Sequence, residues 1–575
     1  MKIPRILARI KSIEDIDIVA QTVCSNVYIC HSEFLEKSNY NSLLEYIKKV
    51  NDHNFDFFIN FKNIIKEDEI LKINDLLEFL ETCPISGILV NSVDILELIK
   101  DKKLPFKIFI DSGLNIHNLA GVEFLSLFNS IDNINITEEI YIKNLVKIKK
   151  YSKHKLSIDS NDLPWIADEL IKAKSVEMIV IKGDYENKDQ LLEGIKIIEK
   201  ILENPKDSQN HRLPFKNPVT PLYKSNHFLG EFHGTKGETF RFTGNIQQFN
   251  WKMKRFLLPP KHEFLNIPKL NLRLTSLEQL KYLKKYIKIL KFNPIYSVEY
   301  GEIINTADLS KYSFNKIIEK VKKDCSSLGI KLQLSTPKIL IERDFDRVYD
   351  YNKLLCIQEP YLSSIIINNL GYWWTLINDS DLENMPIELG QGLNLLNSTS
   401  ILCLTNQHNI MSVDMSNFSD IESIKQCINK IKDKIPVRKL TIAGSKRIPS
   451  LGLCPLNNEH AILSRLSCAA PCHRGNYAIL DPKIQKTFPI SVDGFCRMHL
   501  FKDRILDLFQ YIRFFSDIGI NEFSIDFSCL SANLLPVLLN RFLSSLDDKD
   551  YIPDQNSIND FYGVEKYVNK NFTRV

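Results

Sequence analysis

Short apolar runs alternate along this chain with longer helix-like runs, the pattern of an α/β protein whose strands lie parallel. In the first part, strands are predicted at 4–10, 26–31, 55–61, 87–91, 106–111, 134–136, 155–160 and 177–182. In the second they are predicted at 270–274, 295–301, 330–336, 364–368, 387–394, 411–415, 438–444 and 523–527. Each set holds eight runs, the number that closes a (β/α)-barrel. The predicted fold is therefore α/β, with two tandem TIM-like (β/α)8 barrels.

Matching strings in the two sets point to internal duplication. Arg9-Ile-Lys-Ser12-Ile-Glu14 parallels Arg273-Leu-Thr-Ser276-Leu-Glu278, and Gly113-Leu114-Asn115-Ile-His-Asn118 parallels Gly392-Leu393-Asn394-Leu-Leu-Asn397. The offsets, 264 and 279 residues, suit a tandem duplication with modest insertions. The expected domains are a first repeat at 1–203, a Pro-rich join at 204–265, a second repeat at 266–550 and a tail at 551–575. The join carries Pro205, Pro214, Pro218, Pro221, Pro259 and Pro260, which reads as an irregular linker or small β segment. Its aromatic and basic residues, among them Phe240, Arg241, Trp251, Lys254 and Arg255, suit either base stacking with phosphate binding or an adhesive linker.

The repeats differ most between their seventh and eighth strands. Residues 161–176 separate them in the first repeat, room for one helix, whereas 445–522 lie there in the second. That insert holds Cys454, Cys468, Cys472 and Cys496. A loop leaving the C-terminal end of a barrel strand opens on the face where barrel active sites lie. The other eight cysteines are scattered and read as small buried apolar residues.

Composition narrows the setting. With 575 residues the chain exceeds one hydrophobic core, and 74 basic against 70 acidic residues leave a net charge of +4, which neither requires nor excludes nucleic acid. No apolar stretch approaches the length of a membrane span, and the basic N-terminus develops no signal core. A soluble cytoplasmic protein is the expectation. In a reducing compartment clustered thiols serve metal or redox chemistry rather than disulfides. Four thiolates suit tetrahedral Zn2+ or an iron–sulfur cluster, and the spacing leaves both open; having only one short Cys-x3-Cys pair suits the bulkier cluster better.

The run Gly452-Leu-Cys454-Pro455, Cys468-Ala-Ala-Pro-Cys472, Tyr477-Ala-Ile-Leu480-Asp481 and Phe488-Pro489-Ile490-Ser-Val-Asp493-Gly-Phe-Cys496-Arg497 resembles the peptidase U32 (collagenase-like) family. Gly392-Leu-Asn394-Leu-Leu-Asn397-Ser398 is similar to that family's Asn-x-x-Asn-Ser segment. Two departures stand out: Val413-Asp414-Met415-Ser416-Asn417 occupies the place of a Ser-x-Glu, and Ile525-Asp526-Phe527 that of a basic, Glu-containing last strand. The resemblance implies a [4Fe–4S] cluster on Cys454, Cys468, Cys472 and Cys496. It also implies oxygen-independent hydroxylation of RNA or of an aromatic metabolite such as a quinone precursor, with prephenate as oxygen donor in some branches.

No His-Glu-x-x-His or Gly-x-Ser-x-Gly string occurs, so the collagenase-like protease reading rests on the family label. Asn394 and Asn397 are candidates to orient a substrate through their amides, or simply to tie a turn. Arg497 is a candidate for a donor carboxylate, or for backbone hydrogen bonds. A further alternative is a non-catalytic iron–sulfur subunit working with a second U32-type protein.

Overall fold

The computed structural model describes residues 3–61, 65–128, 131–136, 142–160, 163–182, 185–211, 213–214, 268–290, 292–358, 362–418, 421–451, 472, 477–481, 486–502, 505–547 and 566–567. The aromatic and basic residues of the join therefore fall outside the described residues, as do Cys454 and Cys468.

Strands β1 (Arg5–Arg9), β2 (Asn26–Cys30), β3 (Asp56–Phe61), β4 (Gly87–Val90), β5 (Lys107–Ile110), β6 (Ile131–Asn135), β7 (Lys155–Asp159) and β8 (Met178–Val180) pair in order, and β8 closes on β1. The second barrel is built from β9 (Lys269–Arg273), β10 (Ser297–Tyr300), β11 (Lys331–Ser335), β12 (Leu362–Ile367), β13 (Ile387–Leu389), β14 (Ile410–Asp414) and β15 (Val437–Gly444). It is closed by a later strand, β21 (Glu522–Asp526), which pairs in parallel with both β15 and β9. All pairings within the two barrels are parallel, so the two tandem (β/α)8 barrels read from the sequence are the fold. Helices between strands bury one apolar stripe each: in helix Lys188–Glu203 the buried positions include Leu191, Ile195, Ile198 and Leu202.

One local expectation needs correction. The run 387–394 is strand only through Leu389; residues 391–393 form a 3-10 turn that ends at Asn394 in the left-handed region, φ 53°. Asn is the side-chain-bearing residue that tolerates that conformation best. The insert after β15 also has structure of its own. Strands β16 (Arg447–Leu451), β17 (Tyr477–Asp481), β18 (Lys486–Val492) and β19 (Met498–Phe501) form an antiparallel sheet in the order β16-β19-β18-β17. The chain returns through β20 (Ile505–Asp507), antiparallel to the end of β15 at Ala443 and Gly444.

The barrels meet through an interface with twofold pseudo-symmetry, and the duplicated Gly-Leu-Asn-x-x-Asn strings make it. Asn118 caps helix Leu119–Phe124 by accepting from Gly121 N, and its Nδ2 donates to Leu340 O at 2.6 Å in the other barrel. Asn397 caps helix Ser398–Thr405 by accepting from Ser400 N, and its Nδ2 donates to Ile65 O at 3.0 Å and to Asp94. Leu119 N donates to Glu342, which also pairs with Lys147; Ser398 N donates to Glu67, which also pairs with Lys430. The fourth-strand helix of each barrel thus packs on the fifth-strand helix of the other. Gly371 is required at this seam, since a Cβ there would lie 2.0 Å from Asn118 Oδ1.

Candidate active site at the mouth of the second barrel

Strand alternation turns every second residue into the barrel lumen. At the C-terminal ends of the second barrel's strands this gathers Arg273, Glu299, Asp414 and Asp526. Arg273 is 5% exposed and its guanidinium donates to all three carboxylates: Nε to Glu299 at 2.9 Å, Nη1 to Asp526 at 3.0 Å and Nη2 to Asp414 at 3.5 Å. Burial opposes its charge, but Glu299, Asp526 and Asp414 overcome that and hold the guanidinium protonated. Gln391 Nε2 bridges Asp414 and Thr441 at 3.0 and 3.1 Å.

A second ion pair stands beside the first. Arg447, at the start of the insert, grips Glu302 with both terminal nitrogens, Nη2 at 2.9 Å. Burial works against the Glu302 carboxylate, yet Arg447, with Arg273 and His499, holds its pKa down to about 2. Lys446 donates to Ser416 O at 2.8 Å; burial lowers its pKa, while Asp414 and Asp526 act to raise it. The mouth therefore combines fixed charges of both signs with one lysine whose proton is loosened. Such a setting suits a polar ligand and a proton transfer.

Sequence reading missed most of this cluster. Arg273 stood out only as a marker of duplication, and Asp414 and Asp526 only as departures from the family pattern. The signal available was positional: each is the last residue of a barrel strand.

The described cysteines lie over the same mouth. Cys472 O accepts from Thr306 Oγ1 at 2.7 Å, and Thr306 opens helix Thr306–Leu309, which follows β10. Cys496 sits in the β18–β19 turn in the left-handed region, φ 60°. Asp493 organises that turn: its Oδ1 accepts from Phe495 N at 2.8 Å and Arg497 N at 3.0 Å, its backbone O accepts from Cys496 N, and its Oδ2 faces His499 Nε2 at 3.2 Å. Gly494 in the same turn abuts Leu309, 2.9 Å from where a Cβ would be. Both cysteines are half-buried. Among the described residues no three His, Cys, Asp or Glu side chains are grouped to hold a metal, and two of the four clustered cysteines lie outside the described residues.

Most of the scattered cysteines are buried within the fold, as expected. Burial pushes the thiols of Cys24 and Cys325 up to about 12 and that of Cys427 higher, so they stay protonated.

The three other candidates separate. Arg497 is 2% exposed; its Nη2 donates to Asp344 at 3.1 Å and its guanidinium lies 4.6 Å from the Phe495 ring centroid. The carboxylate it was expected to take from a donor is supplied by Asp344, within the fold. Asn397 is fully buried and ties the barrels together, and Asn394 lines the seam with its Oδ1 3.5 Å from Lys338 Nζ. Neither asparagine stands with the cysteines. Asn follows a strand here because it caps a helix against the neighbouring barrel.

Fold and mouth together define a tandem (β/α)8-barrel protein with a charged C-terminal site on its second barrel. Residues 11–159 match the model of peptidase family U32. The match falls on the first barrel, whereas the motifs that resemble the family lie at 380–530, so both halves carry the likeness. A signal-transduction and transcriptional-control protein of Clostridium beijerinckii is 33% identical over 97 residues, 14% of this chain and 15% of that protein. Among solved structures, the U32 peptidase Mk0906 is 10% identical with a TM-score of 0.25, over 32% of this chain and 95% of that one. Thiamine phosphate pyrophosphorylase from Pyrococcus furiosus is 11% identical with a TM-score of 0.26, over 35% and 96% of the two chains. Among the described residues no helix is long and apolar enough to cross a membrane.

Proposed function

We propose that this chain is an enzyme that holds a [4Fe–4S] cluster on Cys454, Cys468, Cys472 and Cys496. Its reaction is an oxygen-independent hydroxylation, or a related modification, of RNA or of an aromatic metabolite. The observation that supports the reading is that the Cys472 backbone and, through Gly494, the turn carrying Cys496 both rest against helix Thr306–Leu309, which follows a strand of the charged mouth. Thiolates from separate turns fit a cluster, and Cys496 holds a left-handed backbone conformation that residues with a Cβ seldom adopt. When bound, such a cluster supplies redox or Lewis-acid chemistry.

The chain's own groups would do the rest. Asp493 fixes the turn that presents Cys496, and Arg497, locked by Asp344, keeps that turn against the barrel. Arg447 and Arg273, each engaged by carboxylates, fix the charged wall of the mouth against which a polar substrate or a donor such as prephenate would sit. Lys446 is the group able to give or take a proton.

Anaerobic purification with iron, sulfide and zinc analysis tests the cluster: about four irons and four sulfides per chain are expected. Stoichiometric zinc without sulfide would remove it. Modified nucleosides and quinone precursors compared in cells with and without the gene then separate the substrate classes. Release of peptides from gelatin by the purified protein would favour the protease instead. Activity that appears only when a second U32-type protein is added would make this chain a subunit.

A further inference from the structure

The second barrel has another opening, at the end away from the cysteines. A cavity of about 470 Å3 lies at the N-terminal ends of its strands, with Glu388, Ser412 and Glu522 in its floor and Tyr296, Lys331 and Met411 at its rim. That volume falls in the range of small-molecule sites.

The floor is charged. Lys439 lies between the two carboxylates, 2.8 Å from Glu388 and 3.1 Å from Glu522, and all three are nearly fully buried. Two carboxylates thus share one ammonium. Glu388 is saturated: Oε1 accepts from Gln333 and Ser364, and Oε2 from Lys439. Burial raises the Glu522 carboxyl pKa, and Glu388 adds to the rise against the pull of Lys439. Ser412, 2% exposed, lines the same floor, and its Oγ has no hydrogen-bond partner among the described residues.

The rim carries the opposite sign. Lys331 and Lys269 both lie over the Tyr296 ring, at 4.8 and 4.6 Å from its centroid, and Lys331 Nζ is 3.0 Å from Tyr296 Oη. An anionic floor below a cationic rim is a dipole along the entry path.

We propose that this cavity binds a small zwitterion, an ω-amino acid whose ammonium rests on Glu522 and Ser412 and whose carboxylate meets Lys331. The ammonium gives Glu522 a cationic partner beside the shared Lys439 and donates to the orphaned Ser412 Oγ. Apolar lining such as Ile330 and Val437 accommodates the methylenes between the two ends. The site is independent of the cluster reading, because it lies at the opposite end of the barrel.

Isothermal titration of the full chain with δ-aminovalerate tests it, with pentylamine and valerate as single-ended controls. One equivalent of δ-aminovalerate is expected to bind, and each control at least about tenfold more weakly. Ser412→Ala and Glu522→Gln each lower the affinity about tenfold, and Lys331→Gln about threefold. Because Glu522→Gln perturbs a buried ion network, Met411→Arg is the second variant: it fills the exposed rim with a guanidinium, leaves the floor intact and abolishes binding. No heat with the native protein, equal affinity for pentylamine and δ-aminovalerate, or undiminished binding in Met411→Arg would each overturn the proposal.

Discussion

The two barrels share a strand count and a docking surface but are filled by opposite chemistry. In the first barrel the lumen is packed by Leu7, Tyr28, Phe58, Leu89, Phe109, Met178 and Val180, a cluster separate from the main core. In the second the corresponding layers are polar: Asn271 donates to Ser297 and Gln333, Ser524 donates to Asn271, and Lys439 joins Glu388 to Glu522. Charge in the first barrel gathers at its mouth, where Lys182 pairs with Asp111 and Asp159 and Asn135 donates to Asp159 at 2.7 Å, and below it Ser157 donates to Asn133 at 2.7 Å. Buried charges stabilise little unless every one is paired. A lumen built of them is therefore a weak source of stability, and it lies in the barrel that carries the cysteines. After duplication the seam stayed common to both copies, while the lumen and the seventh loop diverged.

The largest expected contrast concerns the thiols. Cys472→Ser or Cys496→Ser, reconstituted anaerobically, is expected to lose its bound iron, whereas Cys24→Ser or Cys427→Ser in the buried packing keeps it. Iron retained in the first two variants would unseat the cluster assignment.

Next comes the lumen. Arg273→Met leaves three buried carboxylates around an apolar side chain and is expected to cost about 3–5 kcal/mol in urea unfolding. Leu89→Met in the first lumen, an exchange of similar volume, should cost less than about 1.5 kcal/mol. Comparable losses would mean that the polar lumen has no special dependence on pairing.

The seam predicts equality instead. Asn118→Ala and Asn397→Ala each remove a helix cap and a bond across the seam, and each should cost about 2 kcal/mol. A large inequality would break the pseudo-symmetry.

The smallest effect depends on pH. Burial, with Arg497 and Lys338 nearby, lowers the His117 pKa from 6.5 to about 3, and its place in the second barrel is taken by Leu396. The unfolded imidazole binds a proton that the folded one refuses, so stability falls as pH drops from about 6.5 toward 3. At pH 5 this amounts to about 2 kcal/mol. His117→Leu should remove that share of the acid sensitivity; buried His31, lowered to about 4, leaves a similar share in place. An unchanged pH profile of thermal unfolding would show that His117 is not the group responsible.

Much of the frame was legible beforehand because strand number and repeat are local patterns. The site was less so. Asn397 looked like a substrate ligand because a strand's end is where ligands bind; its partners, Ile65 and Asp94, lie more than three hundred residues away. Arg497 looked available for the same reason, with Asp344 out of sight.

Alternation and repetition along the chain were enough to define two eight-stranded barrels, their common origin and the loop bearing four thiols. Tertiary structure alone decided which face of each strand turns into the lumen, since parallel barrel strands are buried on both faces and their periodicity does not distinguish inside from outside. It also decided that the repeated asparagines join the barrels and that three carboxylates meet one arginine, because those contacts depend on how distant segments pack.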